Sequence, residues 1–171
     1  MKIYSYLTNA RISPVDTFYA LQTLARREQI WARLIGQNAS LATFPEQMQG
    51  KRPCKKFIGM KDIPIEQIVG TMESQSDFDH EFRPLKSSLR KKWLNAYHSL
   101  ANGGWAPVLV HQFGDRYYVE DGHHRVSVAR ALGRVSIQAK IWEYPVHSIQ
   151  PKNCPSAQWI EKNSVAAQCQ E

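Results

Sequence analysis

Cysteine is scarce in this 171-residue chain: Cys54, Cys154 and Cys169 are odd in number, far apart and without a Cys-x-x-Cys pair. That pattern excludes a disulfide framework and a zinc knuckle, and the three are read as reduced thiols. Long apolar runs are missing too, none approaching the roughly 20 residues of a membrane span. The opening Met1-Lys2-Ile3-Tyr4-Ser5-Tyr6 lacks the apolar region of a secretory signal, so the expected location is the cytoplasm, with no membrane partner. There is no internal repeat, no low-complexity segment and no helix-turn-helix pattern, which argues against sequence-specific DNA recognition. Acids are outnumbered, 15 Asp and Glu against 22 Lys and Arg, for a net charge of +7 and a pI near 9.4. Such a balance favours nucleotides, nucleic acid or another anionic partner without choosing among them.

What the sequence does have is one stretch that turns from strand to helix at a single glycine. Tyr117-Tyr118-Val119-Glu120-Asp121 carries strand-forming side chains; from His123 the spacing of Val128, Ala129 and Leu132 is helical, and Gly133 ends it. Gly122 supplies the corner, because glycine adopts backbone angles other residues avoid. A helix begun there directs unpaired N–H groups and a positive dipole end outward, beside His123, His124 and Arg125, which suits phosphate or another anion. Helical phase puts Arg125 with Ala129 and Leu132, and His124 with Val128 and Ala131, toward the sheet, and leaves His123 with Ser127, Arg130 and Arg134 on the wetter face. Asp121 also fits as the N-cap. Successive helix residues point about 100° apart, so His123 and His124 do not share a metal; no zinc, haem or flavin is expected. No serine or cysteine at the corner offers a nucleophile.

The rest of the chain divides around this stretch into an N-terminal helix and basic connector (1–59), a core (60–144) and a C-terminal tail (145–171), one globular unit in all. Ser13-Pro14-Val15-Asp16 opens a helix over 14–35, whose stripe of Phe18, Leu21, Leu24, Ala25, Trp31, Leu34 and Ile35 is expected to pack on the core. The connector 36–59, with a short helical turn expected at 44–48, carries Lys51, Arg52, Lys55 and Lys56. A helix over 85–100, stopped by Asn102-Gly103-Gly104, presents Lys86, Arg90, Lys91 and Lys92. These two basic groups are the candidate contacts for non-specific nucleic acid, a solvated surface being the plainer alternative. Strands are expected at 63–69, 108–112, 116–120 and 137–143. Between the first strand and the helix, Asp77 and Asp79 form a carboxylate pair suited to Mg²⁺, which would accompany a bound nucleotide. The tail, with a helical stretch over 156–168 carrying Trp159, assigns itself no function.

Trp105-Ala106-Pro107-Val108-Leu109-Val110, Gly114-Asp115-Arg116-Tyr117-Tyr118-Val119 and Asp121-Gly122-His123-His124-Arg125, with the closing strand, resemble the ParB/sulfiredoxin-like superfamily over residues 63–143. The resemblance implies an α/β (α+β) fold, a small mixed sheet with flanking helices, to which the first helix is an N-terminal extension. In chromosome-partitioning members the corner reads Gly-Glu-Arg-Arg and binds nucleotide phosphates, and in sulfiredoxins it reads Gly-Cys-His-Arg with a catalytic cysteine. His123 occupies that cysteine's position, which argues against sulfiredoxin activity. By the same resemblance Arg83 stands nearest to an arginine that shapes the nucleotide site in partitioning members. The expectation is therefore a nucleotide- or phosphate-binding protein using Gly122, His123, His124, Arg125 and Arg83. Glu120, Asp121 and His123 are its catalytic candidates if a phosphoryl group is transferred or hydrolysed. The alternatives are a nuclease-type nucleic-acid module and a non-catalytic scaffold, with homo-oligomerisation left open.

Overall fold

A computed structural model describes residues 13–44, 55–73 and 76–144. Lys51, Arg52, the three cysteines, the C-terminal tail and all but Phe44 of the expected turn at 44–48 lie outside them.

Ser13 caps the first helix, α1 (Pro14–Leu34), accepting from the Asp16 N–H at 3.2 Å, and proline occupies the first turn. Its first half packs as expected: Phe18 is fully buried and meets Trp93 edge-to-face with ring centroids 5.7 Å apart. The expected stripe does not continue, because Trp31, Leu34 and Ile35 stand exposed beyond the core.

Among the described residues six strands rather than four form one mixed sheet, in the order β1-β3-β5-β4-β6-β2. The expected strand over 63–69 is two strands on opposite sides of the sheet. β2 (Lys56–Pro64) runs antiparallel to β6 (Ser136–Tyr144) at one edge; after a 3₁₀ turn at Ile65–Gln67, β3 (Ile68–Thr71) runs parallel to β5 (Arg116–Asp121). The break follows from side-chain demand: Ile63 and Ile65 keep the two-residue period, then Ile68 is buried three residues on, which a continuous strand cannot provide. Pro64 lacks an N–H and ends β2, a tolerable place on an edge strand. The connector is likewise not free of structure. β1 (Ala42–Thr43) pairs parallel to β3, with Ala42 opposite Gly70, and β2 already begins at Lys56 with a register shift between Phe57 and Gly59. β4 (Val108–Phe113) and β5 make the expected hairpin.

One sheet face, built from Ile63, Val108, Val110, Val119, Ile137 and Ile141, holds the main core against α2 (Arg90–Ala101) and α3 (His123–Ala131). α2 starts later than expected because Ser87–Leu89 form a 3₁₀ turn and the Leu85 N–H is bonded to the Asp77 carbonyl. Trp93 is fully buried between the helices and donates through Nε1 to Ser127 Oγ at 3.0 Å. On the other face Phe44 packs edge-to-face on Tyr118 and tilted against Tyr144 in a small cluster. None of the helices in the described residues is long and apolar enough to cross a membrane.

Candidate functional site

The corner is built as its residue types require. Gly122 sits at φ 106°, ψ 20°, in the left-handed region, between β5 and α3. A Cβ there would meet Val108 Cγ1 at 2.7 Å and Arg125 Cζ at 3.1 Å, so both conformation and space demand glycine. The role expected for Asp121 as N-cap is not observed: no side chain among the described residues caps α3, and Asp121 Oδ2 instead accepts from Arg125 Nη2 at 2.5 Å. The first-turn N–H groups of α3 therefore remain directed outward, into a cavity of about 550 Å³.

Arg125 leans toward the strand ends, as its helical phase required, and its fork spans three acceptors. Nη1 donates to the Ala106 and Pro107 carbonyls at 2.5 and 3.1 Å, and Nη2 to Asp121. It is thus a strut for the loop entering β4 as well as a cation at the cavity. His124 lines the same cavity, its ring edge-on to Phe78 at 5.3 Å; Nδ1 is buried without a hydrogen-bond partner among the described residues, and burial, helped by Lys92, lowers its pKa.

His123 is not on a wetter face. It is 8% exposed, with Ser127 buried beneath it, because the segment after β3 folds over this side of α3. Phe78 and Phe82 stack on its ring at 6.2 and 6.3 Å, and Nε2 lies 2.8 Å from Thr71 Oγ1. Burial is the largest cause, ahead of neighbouring His124, of a pKa lowered to about 4; the imidazole is neutral at pH 7.

Several expected site residues are placed elsewhere. Strand alternation sends Glu120 to the opposite face of the sheet, where it binds buried His111. Arg83 is 9% exposed and inside the fold: Nε donates to Asp79 Oδ2 at 2.7 Å and Nη2 pairs with Glu28 of α1. Asp79 is fully buried and also accepts the Arg83 and Glu81 N–H groups at 2.8 and 3.1 Å. Asp77 instead lines the cavity and pairs with Lys86 at 2.6 Å, so Asp77 and Asp79 do not form one donor set. Among the described residues no three His, Cys, Asp or Glu side chains converge on a metal position. The basic residues are dispersed as well. Arg90 is tied to the Tyr19 hydroxyl at 2.6 Å, Lys55 lies over the Trp142 ring at 4.8 Å, and Lys56, Lys91 and Lys92 are exposed.

The structure adds residues from α2 that the corner motif does not contain. Lys92, Asn95 and Ser99 line the cavity opposite α3, and Trp105 closes its end, pinned by an Nε1 bond to the Ala96 carbonyl at 2.6 Å. Their three- and four-residue spacing was a readable sign that they share one face. The buried partner Thr71 gave none, lying 52 residues from His123 in sequence. Chemically, the site is an open cleft with a helix N-terminus, two cations (Lys92 and Arg125), two carboxylates (Asp77 and Asp121) and a neutral histidine.

Comparison with known proteins follows the same region. No curated protein matches the chain. Among solved structures it is similar to sulfiredoxin from Arabidopsis thaliana, with 24% identity over 48% of this chain and 82% of that one, at a TM-score of 0.36. The family model of the ParB N-terminal domain matches residues 50–150, more than half of the chain and including every strand from β2 to β6, α2, α3 and the corner. The chain belongs to the ParB N-terminal domain family.

Proposed function

We propose that the protein binds a phosphate-bearing small molecule, a nucleotide, at the Gly122 corner. The observation that carries this is the uncapped N-terminus of α3 opening into a cavity that also holds Lys92 and Arg125. Backbone N–H groups, a dipole end and two cations converge there, a combination suited to phosphate oxygens. Mg²⁺, on this proposal, arrives with the phosphates, and Asp77 and Asp121 are the carboxylates at the cavity that would help hold it; the ion would neutralise phosphate charge.

Arg125 is a poor probe of binding, because its removal also frees Ala106 and Pro107. Lys92 is exposed and leaves the core untouched. Calorimetric titration with nucleoside di- and triphosphates is expected to give saturable binding that Lys92→Ala weakens by about 10- to 100-fold, the worth of one charge-assisted hydrogen bond. Analysis of the nucleotide after incubation separates a binding module, which leaves it intact, from a phosphoryl-transfer enzyme or hydrolase, which consumes it. Absence of binding to every such ligand at millimolar concentration would overturn the proposal and leave the corner as part of an interaction scaffold.

A further inference from the structure

We propose that Thr71 is the positioning residue of this site: its buried hydroxyl donates to His123 Nε2 and so fixes the ring with its proton on Nδ1, where it donates to a phosphate oxygen in the cavity. The assignment rests on the phosphate-binding proposal for its ligand, but the placement of the proton is a property of the empty protein.

Thr71 is 1% exposed and ends β3 between β1 and β5, paired with Thr43 and Val119. Its hydroxyl has one proton and two neighbours, His123 Nε2 at 2.8 Å and the Val119 carbonyl at 3.2 Å. The Val119 carbonyl is already served by the Met72 N–H at 2.9 Å. Among the described residues the imidazole nitrogen has no other partner at that position, and the shorter contact is the one to the ring. Donation to Nε2 puts the hydroxyl proton on the nearer acceptor and leaves the Val119 carbonyl to the Met72 N–H, whereas donation to Val119, through that carbonyl's second lone pair, would require Nε2 to carry the proton.

The surroundings fix the ring as well as its tautomer. Phe78 and Phe82 hold it within 17° and 28° of their own planes. Apolar walls of that kind favour the uncharged imidazole, so the ring changes its donor by tautomer and not by charge. With Nε2 held inside the fold, Nδ1 is the nitrogen left to the cavity that His123 lines, at the first residue of α3. An N–H there extends the row of backbone donors by one; a bare lone pair would repel an anion.

The test uses the full chain at pH 7 and nitrogen-15 spectra of the histidine rings, with inorganic pyrophosphate as the probe ligand. His123 is expected as a single neutral species protonated on Nδ1. Thr71→Val, which keeps the shape and strand preference of the residue, is expected to lose that single-tautomer signature and to bind pyrophosphate about threefold to tenfold more weakly. Thr71→Ser, which restores the hydroxyl, is expected to recover both. A wild-type His123 protonated on Nε2, or a Thr71→Val protein with unchanged ring spectrum and affinity, overturns the assignment. Wild-type protein that shows the Nδ1–H signature but ignores pyrophosphate upholds the role of Thr71 in placing the proton and sinks phosphate as the ligand.

Discussion

At the scale of single residues, the buried histidines make stability depend on pH. His123 falls from an ordinary 6.5 to about 4, and burial lowers His111 and His124 too. Between those values the unfolded chain binds protons that the folded chain refuses, so stability is complete above about pH 6.5 and is lost as pH falls toward 4. For His123 alone the loss approaches roughly 3 kcal/mol. Urea unfolding at pH 7.5, 5.5 and 4.5 should show it, and His123→Gln should flatten the slope. The difference between the two proteins isolates the histidine, since Asp79, whose carboxyl burial pushes up against the pull of Arg83, is common to both. Equal slopes would refute a buried neutral His123. The corner glycine was legible in the sequence because its requirement is local, a left-handed residue between a strand and a helix. The environment of His123 was not. Helical phase reports only on α3 itself, while the burial of His123 comes from Phe78 and Phe82. Arg83 and Asp79 carried the residue types of a binding site and turned out to satisfy each other across a tight turn, in which the Asp79 N–H donates to the Arg83 carbonyl at 3.1 Å.

Elements were legible where one period ran without interruption. α1, the β4–β5 hairpin, α3 and β6 fall within a few residues of their expected bounds. The pieces that escaped, β1 and the split of β2 from β3, depend on partners far away: two residues such as Ala42–Thr43 form a strand only because β3 offers an edge. That edge depends on Gly70. A Cβ at this position would stand 2.1 Å from the Ala42 carbonyl oxygen and 3.0 Å from Tyr118 Cδ1. Backbone cannot step aside as a flexible side chain can, so Gly70→Ala is expected to expel β1 and draw Phe44 out of its cluster with Tyr118 and Tyr144. The cost should be roughly 2–4 kcal/mol, read from urea unfolding. Amide exchange should speed up at Phe44, whose N–H now donates to the Thr71 carbonyl at 2.8 Å. Unchanged protection of Phe44 would show that β1 tolerates the methyl group.

For the molecule as a whole, a charge of +7 invites a nucleic-acid reading that the structure divides. Lys55 rests on Trp142 of β6, Arg90 is occupied by Tyr19 of α1, and Lys91 and Lys92 project from α2. Without a base-reading element, any affinity should be non-specific and should fall steeply with salt, by nearly one logarithmic unit per tenfold salt for each phosphate contacted. Titration of unrelated DNA and RNA sequences at 50 and 200 mM salt, with Lys91→Glu and with Lys55→Glu plus Lys56→Glu, would locate the contributing surface. Selective binding that persists at high salt would contradict this account.

The pairing of the sheet also sets an order of events during synthesis. Among the described residues β2 lies at the edge with one neighbour, β6, Ile63 standing opposite Ile137, so the ribosome releases β2 long before that partner exists. At about 5–20 residues per second the wait is on the order of several seconds. Through that interval a nine-residue extended segment bearing Phe57 and Met60 has nothing to pair with. Lys56, Lys61 and Pro64 are the residues within it that discourage a second nascent strand from pairing there in place of β6.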